Sequence, residues 1–194
     1  MSGRPKIFNE YDVVNKAAEV FWENGYEASS SEDLLKAMGI GKGSFYLFFK
    51  GGKKELYEKA LRQFADNLLK GLKGEIEKSK DPILYLKEFF LSLSSLSDSN
   101  DAKGCFMGNA LAEMSAKDEF TRRQVSKLLV DLEVIFTEAI QRGQQNNKYS
   151  FKASPELLGK HLLNLWNGIH LTRRMPSEKA SLKELIQLNL ELLN

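Results

Sequence analysis

Apolar residues recur along this chain at three- and four-residue intervals, the spacing that places side chains on one face of a helix. Between Tyr11 and Asn24 the repeat runs through Val13, Val14, Ala17, Ala18 and Phe21, and Gly25 supplies a stop. Ser29-Ser30-Ser31-Glu32-Asp33 offers two capping registers, Ser29 with Glu32 or Ser30 with Asp33, ahead of a short helix on Leu34, Leu35, Ala37 and Met38. The turn Gly39-Ile40-Gly41 leads into a third short, aromatic-rich helix over 42–49 that ends at Gly51-Gly52. Longer periodic runs cover 53 to about 78, 82 to about 97, 105–115, 118 to about 146, 155 to about 174 and 181–193. Polar breaks at 97–101 and 146–150 separate some of them, and no stretch alternates long enough to argue for a strand. The pattern predicts an all-α chain of about nine helices, with two short ones around a glycine turn as a helix-turn-helix candidate.

Chain-wide charge adds little, because a formal +2 over 194 residues is too near neutral to announce a partner. Its distribution says more. From Leu34 to Lys54 the chain carries Lys36, Lys42, Lys50, Lys53 and Lys54 with no acid, whereas residues 1–33 hold seven acids. This is either a solvated helix face or a patch for phosphates. Lys53 and Lys54 open the fourth helix, at the end of the macrodipole that disfavours cations, and a phosphate placed there would reverse that preference.

Three stretches, Gly3-Arg4-Pro5, 18–26 (AEVFWENGY) and 38–49 (MGIGKGSFYLFF), resemble in order and spacing the signature of the TetR/AcrR family of transcriptional regulators, over about residues 3–62. The resemblance implies a helix-turn-helix DNA-binding domain at 1–52 and a ligand-binding and dimerisation bundle at 53–194. It further implies a homodimer that binds a palindromic double-stranded DNA operator, most simply as a repressor released by a small apolar or electrophilic effector. The recognition helix would run from Lys42 to about Phe48 and lie in the major groove. On the residues themselves, Lys42 and Ser44 can reach base edges or phosphates, Gly43 permits close backbone approach, and Tyr46 can donate to a phosphate. Ser29 and Ser30 are phosphate contacts or plain caps, and Arg4 sits in an arm able to touch the duplex. Three departures stand out: Ser31 at a position usually apolar, Gly41 in place of a serine cap, and the extra residue in Lys50-Gly51-Gly52. They leave the phosphate contacts of Lys53 and Lys54 open.

In the remaining two thirds, Phe89, Phe90, Leu93, Cys105, Phe106, Met107, Leu111, Met114, Phe136 and Trp166 either line an effector pocket or fill a bundle core. The run from Lys103 to Glu113 resembles the sixth-helix motif of one subgroup of the family, and its two glycines each cost about 1 kcal/mol in a helix interior unless something approaches closely. Cys105, near a helix start, is a thiol activated by the dipole or a buried inert one beside Phe106. The stripes Leu158, Leu162, Leu165, Ile169 and Leu182, Leu185, Ile186 predict a helix-pair interface with a two-fold mate. His161 and His170 have no third ligand at metal-binding spacing, so no metal or other cofactor is expected. A single cysteine fits a reducing cytoplasm, and the lack of a long apolar run argues against a membrane span. Nucleophile-elbow, P-loop and dinucleotide fingerprints are absent, which argues against an enzyme.

Overall fold

The computed structural model describes residues 8–95, 103–145, 148–175 and 179–194. Arg4 and the polar break at 97–101 lie outside the described residues. Among them nine α-helices follow in the expected order, with no strand: α1 (Glu10–Ala28), α2 (Ser31–Met38), α3 (Lys42–Phe48), α4 (Gly52–Lys78), α5 (Pro82–Ser92), α6 (Phe106–Met114), α7 (Glu119–Gln145), α8 (Pro155–Thr172) and α9 (Lys179–Leu190).

Local chemistry explains most boundaries. Asn9, Asp81 and Ser154 accept hydrogen bonds from backbone N–H groups at the starts of α1, α5 and α8, and Pro82 and Pro155 occupy first-turn positions where no donor is needed. Of the two capping registers before α2, Ser30 with Asp33 forms, the Asp33 N–H donating to Ser30 Oγ at 3.1 Å. Gly39 ends α2 at φ 69°, its N–H bonding back to Leu35 and Lys36.

Helices α1 to α3 pack around Val13, Val14, Ala17, Phe21, Leu34 and Phe45, and α4 lies along α1. α8 packs along α7, which also meets α4, α5 and α6. The two regions are continuous through aromatic rings: Trp22 meets Phe64 at 5.0 Å, and Phe106 of α6 meets Phe64 at 5.5 Å and Tyr57 at 5.9 Å.

The segment around α6 is also stapled to α1 along its length. Trp22 Nε1 donates to the Gly104 carbonyl at 3.1 Å, and Lys103 pairs with Glu19 and Glu23, each at 2.8 Å. At Gly25 the backbone of α1 leaves helical geometry (φ 80°, ψ 175°) and resumes for a final turn to Ala28, so the glycine breaks the helix without ending it. Tyr26 and Glu27, whose N–H groups follow that break, both donate at 2.9 Å to the carboxylate of Glu113 on α6.

Candidate functional site

Helix α3 has two unlike faces. Phe45 and Phe49, the latter just past the end of the helix, are 5% and 0% exposed, with ring centroids 5.4 Å apart in a tilted arrangement, and they anchor the helix in the core. Lys42, Gly43, Tyr46 and Leu47 face outward, Tyr46 half exposed, with Ser44 between the two faces. A Cβ added to Gly43 would meet nothing within 4 Å, so the space above it is open to an outside body. Lys36 of α2 joins Lys42 and Tyr46 in lining one groove between the two helices. Of the residues expected to face DNA on α3, Lys42, Gly43 and Tyr46 therefore share one exposed surface, and Ser44 lies at its edge. Phe48 rests on Phe8 at 4.4 Å, a contact that the helical spacing did not suggest.

The supporting contacts fall differently. Ser30 is exposed at the start of α2, but Ser29 is fully buried and its hydroxyl donates to the Gly25 carbonyl at 2.6 Å. Ser29 thus closes the end of α1 and is turned away from any phosphate. Lys53 donates to the Glu27 carbonyl at 3.3 Å and lies over the Tyr26 ring, which satisfies it at the negative end of α1. Lys54 pairs with Asp118, which raises the lysine's pKa and lowers the carboxylate's. Protein partners occupy both lysines, so the dipole argument for a phosphate there loses its force. At the unusual Gly51-Gly52 pair, Gly52 takes φ 67° as the first residue of α4, and the Gly51 N–H donates to Glu55 at 2.7 Å. The extra residue is absorbed by a left-handed turn that a glycine adopts without strain.

Residues 13–60 match the family model described as "Bacterial regulatory proteins, tetR family", and residues 83–188 match "Tetracyclin repressor-like, C-terminal domain". The chain belongs to the TetR family. Among curated relatives, the HTH-type transcriptional repressor DhaR of Mycobacterium sp. (strain GP1) is 26% identical over 182 residues, covering 93% of this chain and 90% of that protein. Among solved structures, a cysteine mutant of the TetR family regulator CifR, complexed with 26-bp double-strand operator DNA, superposes with a TM-score of 0.84 at 21% identity, covering 98% of this chain and 100% of that one. Reduced NemR of E. coli does so at 0.84 and 17%, covering 96% and 98%. The chain is thus a TetR-family transcriptional regulator, and no helix among the described residues is long and apolar enough to cross a membrane.

In this TetR-family chain the expected effector lining is mostly core. Phe90, Phe106, Met107 and Phe136 are each 1% exposed or less, and Phe90 meets Phe136 at 5.3 Å. Leu93, Met114 and Trp166 are buried as well, while Phe89 is half-buried and stacks on Trp166 at 5.8 Å. Cys105 and Leu111 do line a half-open cavity between α6 and α8. Cys105 Sγ caps α6 by accepting from the Gly108 N–H and also from Trp166 Nε1, both at 3.4 Å. Burial pushes its thiol pKa up, more than those hydrogen bonds and the Arg173 charge pull it down, which favours the buried, inert reading of this cysteine over a thiol activated by the helix dipole.

Within one protomer the expected dimer stripe is largely turned inward. Leu158, Leu162, Leu165, Ile169, Leu182 and Ile186 are all 9% exposed or less within one protomer, because this stripe is the one that seats α8 and α9 on their own bundle. Leu185 alone of the set is exposed, and it shares its side with Leu188 and Leu192. Leu157 and Leu171 are exposed on α8, as is Gly168, over which a Cβ would meet nothing within 4 Å. Helical spacing alone could not say which of two apolar stripes on each helix faced inward.

Proposed function

We propose that this chain is an operator-binding repressor that acts as a homodimer, reads the major groove with α3, and is released by a small-molecule effector held in its C-terminal bundle. The division of labour falls near residue 52, ahead of Lys53. The observation that carries the reading is the outer face of α3, where Lys42, Gly43 and Tyr46 stand exposed above a helix pinned by Phe45 and Phe49. A cation and a phenol beside an open glycine suit base-edge and phosphate contacts at close approach. DhaR is a repressor, and the CifR complex contains operator DNA, which supports the same role here. The mate would cover Leu185, Leu188 and Leu192 together with the Leu157 and Leu171 side of α8, since a monomer leaves these leucines in water. Such a regulator works in the cytoplasm.

The test is fluorescence anisotropy of wild-type protein on a labelled duplex from the promoter region of its own gene, across a salt series. Counterion release makes log K fall with log salt at a slope of about −0.9 for each phosphate neutralised. Lys42→Ala is expected to weaken binding and shallow that slope, and Tyr46→Phe to weaken binding with the fold intact. Unchanged affinity in both variants would remove α3 from the DNA interface.

A further inference from the structure

We propose that Leu47 is a base-reading residue, and that it selects thymine in each operator half-site by packing on the C5-methyl group in the major groove. The inference rests on the reading that α3 enters that groove, and it names what the outermost ridge of the helix recognises there.

Burial of the Phe45 ring in the core fixes how α3 is rotated about its own axis. Leu47 follows two positions later, about 200° round the helix and so almost opposite that anchor. Gly43 stands one turn before Leu47 on the same side, as residues four apart do. The ridge farthest from the core is therefore Gly43 and Leu47, which carries neither a charge nor a hydrogen-bonding side chain. Leu47 is 65% exposed and takes no part in the hydrophobic core. Phe48, by contrast, rests on Phe8, so part of its ring is covered from within the protomer. A mate would cover the exposed leucines of α8 and α9, but Leu47 is on neither helix and needs another reason to stand in water.

The surroundings choose the occupant. Lys36, Lys42 and Tyr46 line the groove beside this ridge, where Glu32 is the one acid among the lining residues. No Asp or Glu stands between Leu34 and Lys54 in the sequence. An apolar protein surface would gain nothing from those lysines, whereas a polyanion would. On the major-groove edges of duplex DNA the thymine C5-methyl is the one apolar group, and the other recognition positions offer donors or acceptors. A leucine aimed at the groove floor packs well on a methyl, but against a donor or acceptor it only strips water away. A Cβ over Gly43 would meet nothing within 4 Å, so the helix can seat closely enough for the leucine one turn later to reach base edges. Lys42 and Tyr46 then supply phosphate contacts from the flank, and base selection falls to the apolar ridge.

The experiment first selects an operator from a randomised duplex pool with the full-length protein. Each thymine of a half-site is then replaced by deoxyuridine, which keeps the pairing edge and O4 and loses only the methyl. Fluorescence anisotropy gives the affinity ratio of thymine to uracil duplexes within one protein sample, so partial unfolding of a variant cancels from it. At one position in each half-site the wild type is expected to lose about fourfold in affinity, the worth of one buried methyl group. Leu47→Ala is expected to bring that ratio to one, and Leu47→Met, which keeps the apolar reach, to retain it. An operator on which every uracil substitution is neutral overturns this inference and leaves the operator-binding reading standing. A methyl effect that persists in Leu47→Ala belongs to another residue and overturns the assignment. A pool from which no sequence is enriched overturns the operator-binding reading and this inference with it.

Discussion

Glu113 should be worth more than a half-buried glutamate usually is, because it serves two backbone donors at the break in α1. Gly25 leaves helical geometry at φ 80°, and Tyr26 and Glu27 send their N–H groups to the Glu113 carboxylate at 2.9 Å each. Hydrogen bonds to a charged acceptor contribute about 1.5–3 kcal/mol each, and partial solvent exposure argues for the lower end. Glu113→Ala is therefore expected to lose about 3 kcal/mol, and Glu113→Gln, which keeps one acceptor oxygen, about half of that. Urea unfolding followed by circular dichroism, with the slope unchanged, measures both losses. The same variants should weaken operator binding, since the last turn of α1 leads directly through Ser29 and Ser30 into α2. A loss below about 0.5 kcal/mol in Glu113→Ala, the level of an ordinary surface change, would mean that water serves these donors equally well and that α6 does not brace the break.

Leu188→Glu is expected to give a monomer of unchanged helicity, and Leu162→Glu, at a fully buried position, to unfold the protomer; sedimentation and circular dichroism separate the two, and a folded monomer from Leu162→Glu would restore the inward stripe as the interface. Gly43→Val should leave the unfolding midpoint near that of wild type and weaken operator binding by about tenfold or more, because the blocked space is outside the protein; equal binding would show that no duplex approaches Gly43. His170 is neutral when folded and titrates near 3, against about 6.5 unfolded, so the unfolded chain binds the extra proton and stability falls as pH drops from about 6.5 towards 3. His170→Gln should flatten that limb in urea titrations across pH. Burial pushes the Asp81 carboxyl up, but Lys148, the Leu84 N–H and the Tyr149 hydroxyl outweigh it and hold the group at about 2, so its stabilisation persists below the unfolded value of about 3.9 and disappears as pH falls through 2. Asp81→Asn should remove that lower limb and leave the His170 limb in place.

Helix number, order and most boundaries could be read from the chain, because apolar period, proline position and capping serines act within a few residues of sequence. The outward set on α3 was legible for the same reason: a seven-residue helix anchored by Phe45, with Phe49 just beyond its end, leaves little choice of face. Partners distant in sequence were not legible. Lys53 and Lys54 look like free cations until α1 and the start of α7 come within reach, and Ser29 looks like a cap until the end of α1 turns over it. On α8 and α9, leucines recur on two sides of each helix, and only the packing of α8 along α7, and of α9 against α5 and α8, decides that Leu162 and Leu165 go inward while Leu171 and Leu188 stay in water. The aromatic residues that could have lined a pocket pack against one another instead. The open space falls beside His170, a residue whose chemistry depends on what surrounds it. Periodicity determined which residues are apolar and on which local face they lie, and only the tertiary structure decided which faces meet, because that choice belongs to volumes and charges brought together from opposite ends of the chain.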